Sequence, residues 1–323
     1  MKRRDILIAP AVLGAASMLP LPLIAQQAFP SRPISMVVPF PAGSATDTVA
    51  RIIAQPLGAA LGQAIMVDNR PGADGTIAAR LVMRAAPDGH TLLMATATSI
   101  TGVPALSKEP PYDPVKDFTA ITQIGNFSFL LVVNSALRLR TLEQLVAHAK
   151  ANPGKMTYAS GNVTGIVAMS QLAALAGIDL LHIPYKGEPP AMLDLIAGRV
   201  DMMFATPTTA DGFIREGKIL PLATTNKTRL KSQPDIPTIA EAGVKLTFAP
   251  WGGMFGPANM PAAISERISR EVSAVVRQPA VVEALQKHQL ETVTSTPAEF
   301  AEFIKRELEI WRKVATDQKL PRS

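Results

Sequence analysis

Three turns rich in glycine, proline and hydroxyl residues carry the chemistry that this sequence offers. They cover residues 39–47, 159–165 and 184–188, and each joins an apolar run to a stretch of helical period. Free N–H groups and the positive end of a helix dipole make such turns anion sites, and hydroxyl groups add hydrogen-bond donors. A carboxylate can be held in this way without arginine. The turns therefore predict binding of a small carboxylate.

A helix cap is the alternative for each turn. Ser44 with Asp47, and the segment from Ser160 to Thr164, have residue types that commonly begin helices. We favour binding because three such turns are expected along one sheet edge. Asp47 is an exception, since a carboxylate repels an anion unless it turns to its own backbone or to a donor, and we expect a structural role for it.

Signatures of catalysis and of metal or cofactor binding are missing from the sequence. It has no nucleophile elbow, Walker loop, dinucleotide fingerprint or zinc-protease helix, and it has no cysteine. The four histidines, His90, His148, His182 and His288, fall on different predicted elements without ligand spacing. We therefore expect no cofactor, no metal and no enzymatic activity. An exported enzyme on the same fold would need a reactive group that the motifs do not provide.

The elements that must position the turns alternate between short apolar strands and helices. This pattern runs from residue 30 to residue 224 and predicts parallel sheets of the doubly wound kind, with ligands beyond the carboxyl ends of the strands. Residues 262–316 are helical and must pack on a sheet built earlier. We expect an α/β protein with two lobes, residues 26–127 plus 248–323 and residues 128–247, with a hinge and a cleft between them.

The first 25 residues have the pattern of a secretory signal peptide. Lys2, Arg3 and Arg4 precede an apolar stretch, and cleavage is expected after Ala25. A membrane anchor is disfavoured because the apolar stretch is short and prolines interrupt its end. Export by the general or the twin-arginine route is left open. The formal charge of +6 is scattered and aromatic residues are only 5%, so no nucleic-acid partner is expected.

Several ordered motifs resemble the Bug receptors, the periplasmic substrate-binding components of tripartite tricarboxylate transporters. They run from about Phe29 to Trp311 and include Val37-Val38-Pro39-Phe40, Asp68-Asn69-Arg70-Pro71-Gly72, Pro87-Asp88-Gly89-His90, Ile183-Pro184-Tyr185-Lys186-Gly187 and Pro234-Asp235-Ile236-Pro237-Thr238. The resemblance implies a type II periplasmic-binding-protein fold whose cleft closes on a small carboxylate, a monomer in the periplasm, and membrane subunits of a transporter as partners. A receptor that feeds a sensor protein is the alternative that the sequence does not separate.

The resemblance also implies ligand contacts at particular positions. Carried over to this sequence, they fall on Pro41, Ala42, Gly43, Ser44, Thr46, Thr98, Ser99, Ser160, Asn162, Thr164, Tyr185, Thr206 and Thr208. We expect Lys186 to serve closure or structure. The sequence departs from the family pattern at Ser44, where a second glycine is common, and after Gly165 and Ser99. These departures indicate a pocket tuned to a different acid, and the absence of arginine from the turns favours a ligand of low charge.

Overall fold

The computed structural model describes residues 29–317. The predicted signal peptide, residues 1–25, lies outside the described residues. Within residues 29–317, no helix combines the length and the apolar character that crossing a membrane requires.

Strands and helices alternate along most of this part of the chain, as the sequence pattern predicts. The strands are β1 (Ile34–Val38), β2 (Ile65–Asn69), β3 (Thr91–Thr96), β4 (Phe118–Asn126), β5 (Leu130–Asn134), β6 (Thr157–Ser160), β7 (Leu181–Pro184), β8 (Met202–Ala205), β9 (Ile219–Thr224), β10 (Trp251–Pro257) and β11 (Glu291–Thr292). The α-helices are α1 (Ala45–Leu61), α2 (Thr76–Met83), α3 (Val103–Leu106), α4 (Leu142–Ala151), α5 (Val163–Ala176), α6 (Glu188–Ile196), α7 (Pro207–Arg215), α8 (Ala262–Val275), α9 (Pro279–Lys287) and α10 (Pro297–Asp317). A π-helical turn, Thr98–Gly102, precedes α3.

The strands of the described residues form two sheets. One has the order β11-β4-β10-β3-β1-β2 and the other the order β7-β6-β8-β5-β9. The predicted α/β class is confirmed, but the expectation of purely parallel sheets is wrong. β10 runs antiparallel to β3 and β4, and β5 runs antiparallel to β8 and β9. β5 and β10 each directly follow a passage of the chain from one sheet to the other, so each enters its new sheet in the reverse direction; β11, at the edge of the first sheet, also runs antiparallel to β4.

The chain passes between the two sheets twice, and the two passages lie side by side. β4 leads through Phe127 and Phe129 into β5, and the chain returns from β9 to β10 through residues 225–250. Backbone hydrogen bonds join the passages: Phe127 N–H donates to the Pro250 carbonyl at 2.6 Å, and Thr225 N–H donates to the Phe129 carbonyl at 3.0 Å. The two sheets are therefore joined by a paired double connection.

Both faces of each sheet are covered by apolar side chains. On the first sheet, α1, α8 and α9 pack on one face, and α2 and α10 pack on the other. On the second sheet, α4 and α5 cover one face, and α6 and α7 cover the other. Val163 and Val167 of α5 also pack into the cluster of α10 and the first sheet. Helix α5 therefore connects the cores of the two sheets.

Candidate functional site

A narrow cavity lies between the two sheets, where strands of both sheets end and helices begin. Its volume is about 40 Å³, which holds only a few water molecules. The polar part of its lining consists of Ser44, Thr46, Thr96, Thr98, Asn162, Thr164, Glu188 and Thr206, and the apolar part consists of Phe40, Ala45, Phe127, Phe129 and Pro250. Six of the residues that the sequence indicates as ligand contacts are in this lining: Ser44, Thr46, Thr98, Asn162, Thr164 and Thr206.

Helix α1 begins at the cavity, and Ser44 is its N-cap. The Ser44 hydroxyl accepts a hydrogen bond from the Asp47 N–H at 3.3 Å, and the Ser44 N–H donates to the Pro41 carbonyl at 3.2 Å. The first turn of an α-helix has N–H groups without acceptors inside the helix. Because the Ser44 hydroxyl already accepts the Asp47 N–H, the N–H groups of Ala45 and Thr46 are the ones that remain for a bound anion. Thr46 is 5% exposed.

Asp47 turns away from the cavity, as the sequence analysis expects. Its carboxylate accepts hydrogen bonds from the Gly43 N–H at 3.0 Å, Arg51 Nε at 3.0 Å and Asn69 Nδ2 at 2.9 Å. Burial alone would raise the pKa of Asp47, but the bonds from Arg51, Gly43 and Asn69 outweigh burial and hold the pKa below its usual value. The carboxylate is thus neutralised by its own neighbours.

The π-helical turn after β3 brings Thr98 into the cavity. Thr98 Oγ1 is in short hydrogen-bond contact with Thr164 Oγ1 of α5, so the two hydroxyls join elements of different sheets. Ser99 lies outside the lining. It is fully buried, its hydroxyl donates to the Thr96 carbonyl at 3.3 Å, and its own carbonyl accepts the Tyr112 hydroxyl.

Helix α5 also points its N-terminus at the cavity. Asn162 is the N-cap and accepts a hydrogen bond from the Gly165 N–H at 2.8 Å. The N–H of Thr164, in the first turn, is left for a ligand. Ser160 is outside the lining because its hydroxyl pairs with His182 Nε2 at 2.6 Å. Burial lowers the pKa of His182.

Glu188 and Thr206 form the third side of the cavity. One carboxylate oxygen of Glu188, Oε2, accepts hydrogen bonds from the Thr206 N–H at 3.1 Å, the Thr206 hydroxyl at 2.7 Å and the Thr209 hydroxyl at 2.8 Å. Burial raises the pKa of Glu188, against the opposing effect of these donors. The Thr206 hydroxyl is therefore committed to Glu188.

The other residues that the sequence indicates lie around the cavity. Pro41, Ala42 and Gly43 form the outer part of the α1 turn and are not in the lining. Tyr185 faces a second cleft of about 320 Å³ together with Lys186, and its hydroxyl donates to Asp194 Oδ2 at 2.7 Å. Thr208 has a buried hydroxyl without a hydrogen-bond partner among the described residues, but it also lies outside the lining.

Several lining residues were not among those indicated by the sequence, namely Phe40, Ala45, Thr96, Phe127, Phe129, Glu188 and Pro250. Glu188 ends the third turn that the sequence marks, so its position was a usable signal. Thr96 stands two residues before Thr98. The passages between the sheets contain Phe127, Phe129 and Pro250. The sequence does not show that the two passages lie side by side, so it does not show that these residues reach the cavity.

The lining contains no lysine, arginine or histidine among the residues that the structure describes. Nor do three His, Asp or Glu side chains of residues 29–317 come together as metal ligands. The arrangement supplies backbone N–H groups and hydroxyls at helix N-termini, together with an apolar wall of aromatic rings. This chemistry binds and encloses a small organic anion.

Two sheets joined by a double passage, with a polar cavity between them, define the class of bilobal solute-binding proteins. The chain belongs to the tripartite tricarboxylate transporter receptor family, whose model, described as "Tripartite tricarboxylate transporter family receptor", matches residues 49–320. The resemblance to the Bug receptors is confirmed. The chain is 33% identical to protein BugT of Bordetella pertussis over 302 residues, which are 91% of this chain and 91% of that protein.

Further relatives agree with this assignment. The chain is 39% identical over 297 residues, 91% of this chain and 88% of the relative, to a protein from the tcbD-tcbE intergenic region of Pseudomonas sp. strain P51. Rpa4515 of R. palustris with adipate superposes with a TM-score of 0.87 at 30% identity, covering 90% of this chain and 98% of that one. MatC of Rhodopseudomonas palustris with bound malate gives 0.83 at 30% identity, covering 88% and 99%.

Proposed function

We propose that the cavity between the sheets binds a small carboxylate and that the chain delivers it to a transporter. The observation that carries this proposal is that helices α1 and α5, which belong to different sheets, point their N-termini into one cavity. The carboxylate would accept hydrogen bonds from the N–H groups of Thr46 and Thr164 and from the Thr98 hydroxyl. The acids named with the two relatives above, adipate and malate, support a carboxylate as the ligand class.

We divide the chain into lobes at the two passages: residues 26–127 plus 248–323, and residues 128–247. The contact between the Thr98 and Thr164 hydroxyls closes the cleft, and a ligand enters when the lobes separate. The mature chain, after removal of residues 1–25, works in the periplasm as a monomer. It presents its closed form to membrane subunits of the transporter and binds its ligand without chemical turnover.

A thermal-shift screen of the mature protein tests the ligand class, because a ligand that binds only the native state raises the melting temperature. The panel pairs carboxylates with the corresponding neutral amides, for example butyrate with butyramide and caproate with caproamide. We expect shifts of several degrees with carboxylates alone. A shift of the same size with an amide and its acid would contradict binding at the helix N-termini.

A cavity-filling variant locates the binding. Thr164→Phe places a ring in the cavity and should abolish the shift, whereas Thr228→Phe, at an exposed position, should leave it unchanged. Binding that survives Thr164→Phe would place the ligand elsewhere, for instance in the second cleft beside Tyr185.

A further inference from the structure

Glu188 is a carboxylate inside the cavity that we assign to a carboxylate ligand. It is 7% exposed and it lines the cavity at the first residue of α6. A buried charge needs partners. The lining holds no cationic side chain among the described residues, so Glu188 depends on hydrogen bonds and on a helix N-terminus.

Those hydrogen bonds reach only one of its two oxygens. Oε2 accepts from the Thr206 N–H, the Thr206 hydroxyl and the Thr209 hydroxyl, which belong to the first turn of α7 and its N-cap. Oε1 receives no hydrogen bond from the residues that the structure describes. Glu188 thus occupies the position at the N-terminus of α7 where an external anion would otherwise bind, and its second oxygen remains available to the cavity.

A second lining group also lacks a partner. Thr96 is 6% exposed, and its buried hydroxyl forms no hydrogen bond with the described residues. Buried polar groups without partners are rare in native proteins, and each one needs an explanation. Because Thr96 is in the lining, its hydroxyl is a further group that can form a hydrogen bond with a polar ligand.

We propose that Glu188 makes this receptor selective for a ligand with a single carboxylate and, at its opposite end, a hydrogen-bond donor that Glu188 Oε1 accepts. This inference rests on the proposed function. The ligand's carboxylate lies at the N-termini of α1 and α5, and its other end carries an ammonium or hydroxyl group. A ligand with a second carboxylate at that end meets the negative charge of Glu188 in a site from which water is excluded, and it is repelled.

A protonated Glu188 would produce the opposite selectivity, because its O–H could donate to a second carboxylate. The proposal takes the charged form: burial raises the pKa of Glu188, while the three donors on Oε2 at the N-terminus of α7 act in the opposite direction and stabilise a carboxylate. The charged and the protonated form of Glu188 predict opposite affinities for dicarboxylates, so the experiment compares dicarboxylates with monocarboxylates.

Isothermal titration of the mature protein with acids of equal chain length tests the proposal. One series is caproate, ε-hydroxycaproate, ε-aminocaproate and adipate, and a shorter one is butyrate, γ-hydroxybutyrate, γ-aminobutyrate and succinate. In at least one series we expect an acid with a donor group to bind the wild type about tenfold or more tightly than the dicarboxylate. This order of affinities requires no variant, so it does not depend on how a substitution folds.

The variant Glu188→Gln removes the charge at nearly constant volume. We expect it to reduce the preference for the donor acid over the dicarboxylate by about tenfold. Glu143→Gln is the matched control, because Glu143 is also in the first turn of a helix but is exposed on α4, and the preference should not change. Circular dichroism and the melting temperature show that both variants are folded.

The possible outcomes distinguish a failure of this inference from a failure of the proposed function. Equal or tighter binding of the dicarboxylate by the wild type, or a preference unchanged in Glu188→Gln, would overturn the role of Glu188 and leave a carboxylate receptor. Failure of every acid in both series to bind the wild type or Glu188→Gln would overturn the proposed function as well.

Discussion

Two buried carboxylates, Asp47 and Glu188, lie beside the same cavity and are stabilised in different ways. Asp47 faces away from the cavity and pairs with Arg51, Asn69 and the Gly43 N–H, and its pKa is lowered. Glu188 faces the cavity without a cationic partner, and burial raises its pKa. The first is part of the scaffold that shapes the α1 turn. The second lines the cavity that we propose as the ligand site.

Replacing Asp47 tests its structural role. Asp47→Asn keeps the shape but loses the charge that Arg51 and the Gly43 N–H contact, so we expect a loss of about 1.5–3 kcal/mol in the free energy of unfolding. The control is Asp68→Asn, which removes an exposed ion pair with Arg70 and should cost no more than about 1 kcal/mol. Urea denaturation at neutral pH measures both. Equal effects of the two variants would show that the Asp47 network adds nothing.

His182 gives the protein a component of acid sensitivity. Burial lowers its pKa from 6.5, and the ring contacts the Ser160 hydroxyl and stacks on Tyr158 at 4.8 Å. Because the folded pKa lies below the unfolded one, the neutral ring stabilises the fold above about pH 6.5, and this contribution is lost as pH falls through the folded pKa.

The measurement compares melting temperatures between neutral and acidic pH. His182→Gln should lose less stability than the wild type as pH falls, whereas His148→Gln, at an exposed position on α4, should follow the wild-type curve. Parallel curves for the wild type and His182→Gln would exclude a contribution from His182.

The residue types in the turns predict the cavity better than they predict individual contacts. Ser44 and Thr98 are in the lining, whereas the equally polar Ser99 and Ser160 satisfy their hydroxyls elsewhere. Which way a hydroxyl points depends on partners distant in sequence, such as His182 for Ser160. The sequence alone identifies the turn, and the fold determines which of its side chains line the cavity.

At the scale of elements, local signals predict most helices, but they do not predict the glycine-rich strand β10. At the start of α4 the Thr141 hydroxyl accepts from the Gln144 N–H, and at the start of α10 Thr296 and Glu299 form reciprocal bonds, which are sequence signals of a helix start. The same bonds form between Thr238 and Glu241, yet no helix follows, because the chain turns at Gly243 with φ +93°.

Strand β10 contains three glycines and has no alternating pattern. Side chains added at Gly252 and Gly253 would collide with Phe127 and Phe300, so the glycines are required by rings that pack directly on the strand. That requirement is created by tertiary packing, and it is invisible in the local sequence. Because β10 is the strand that runs antiparallel to β3 and β4, a sequence pattern without β10 predicts a parallel sheet.

The turns after β6 and β7 pack backbone against backbone at Gly161. A Cβ atom there would collide with the backbone of Gly187 and Glu188. Gly161→Ala should therefore displace Glu188, destabilise the protein by about 1–3 kcal/mol and weaken ligand binding.

Gly212→Ala is the control, and we expect it to change the free energy of unfolding in the opposite direction. Gly212 is exposed on α7 with no atom near its added Cβ, so alanine should stabilise the protein by about 0.5–1 kcal/mol without affecting binding. Chemical denaturation and titration with a carboxylate measure both effects. A neutral result for Gly161→Ala would mean that the two turns separate without cost.

At the scale of the whole molecule, the arrangement of the two sheets is closed around a cavity too small for an organic acid. The cavity measures about 40 Å³, and Thr98 and Thr164 contact each other across it. Helix α5 packs through Val163 and Val167 on the side chains of α10 and the first sheet, so closure buries apolar area as well as polar contacts. If the ligand occupies the cavity that we propose, its binding requires the sheets to separate and close.

A disulfide across the closed cleft tests this coupling, and the absence of native cysteines makes the test specific. A Cβ built on Gly102, next to the first sheet, lies 3.1 Å from Val163 Cγ1 at the start of α5. The double variant Gly102→Cys with Val163→Cys should form a bond when oxidised and hold the sheets together. The oxidised protein should then fail to bind a carboxylate that the reduced protein binds, because the locked cavity has no room for it. Gly102→Cys alone, treated with the same oxidant, should bind in both states. Unchanged affinity in the oxidised double variant would show that the ligand reaches its site without separation of the sheets, and the cavity between α1 and α5 would not be that site.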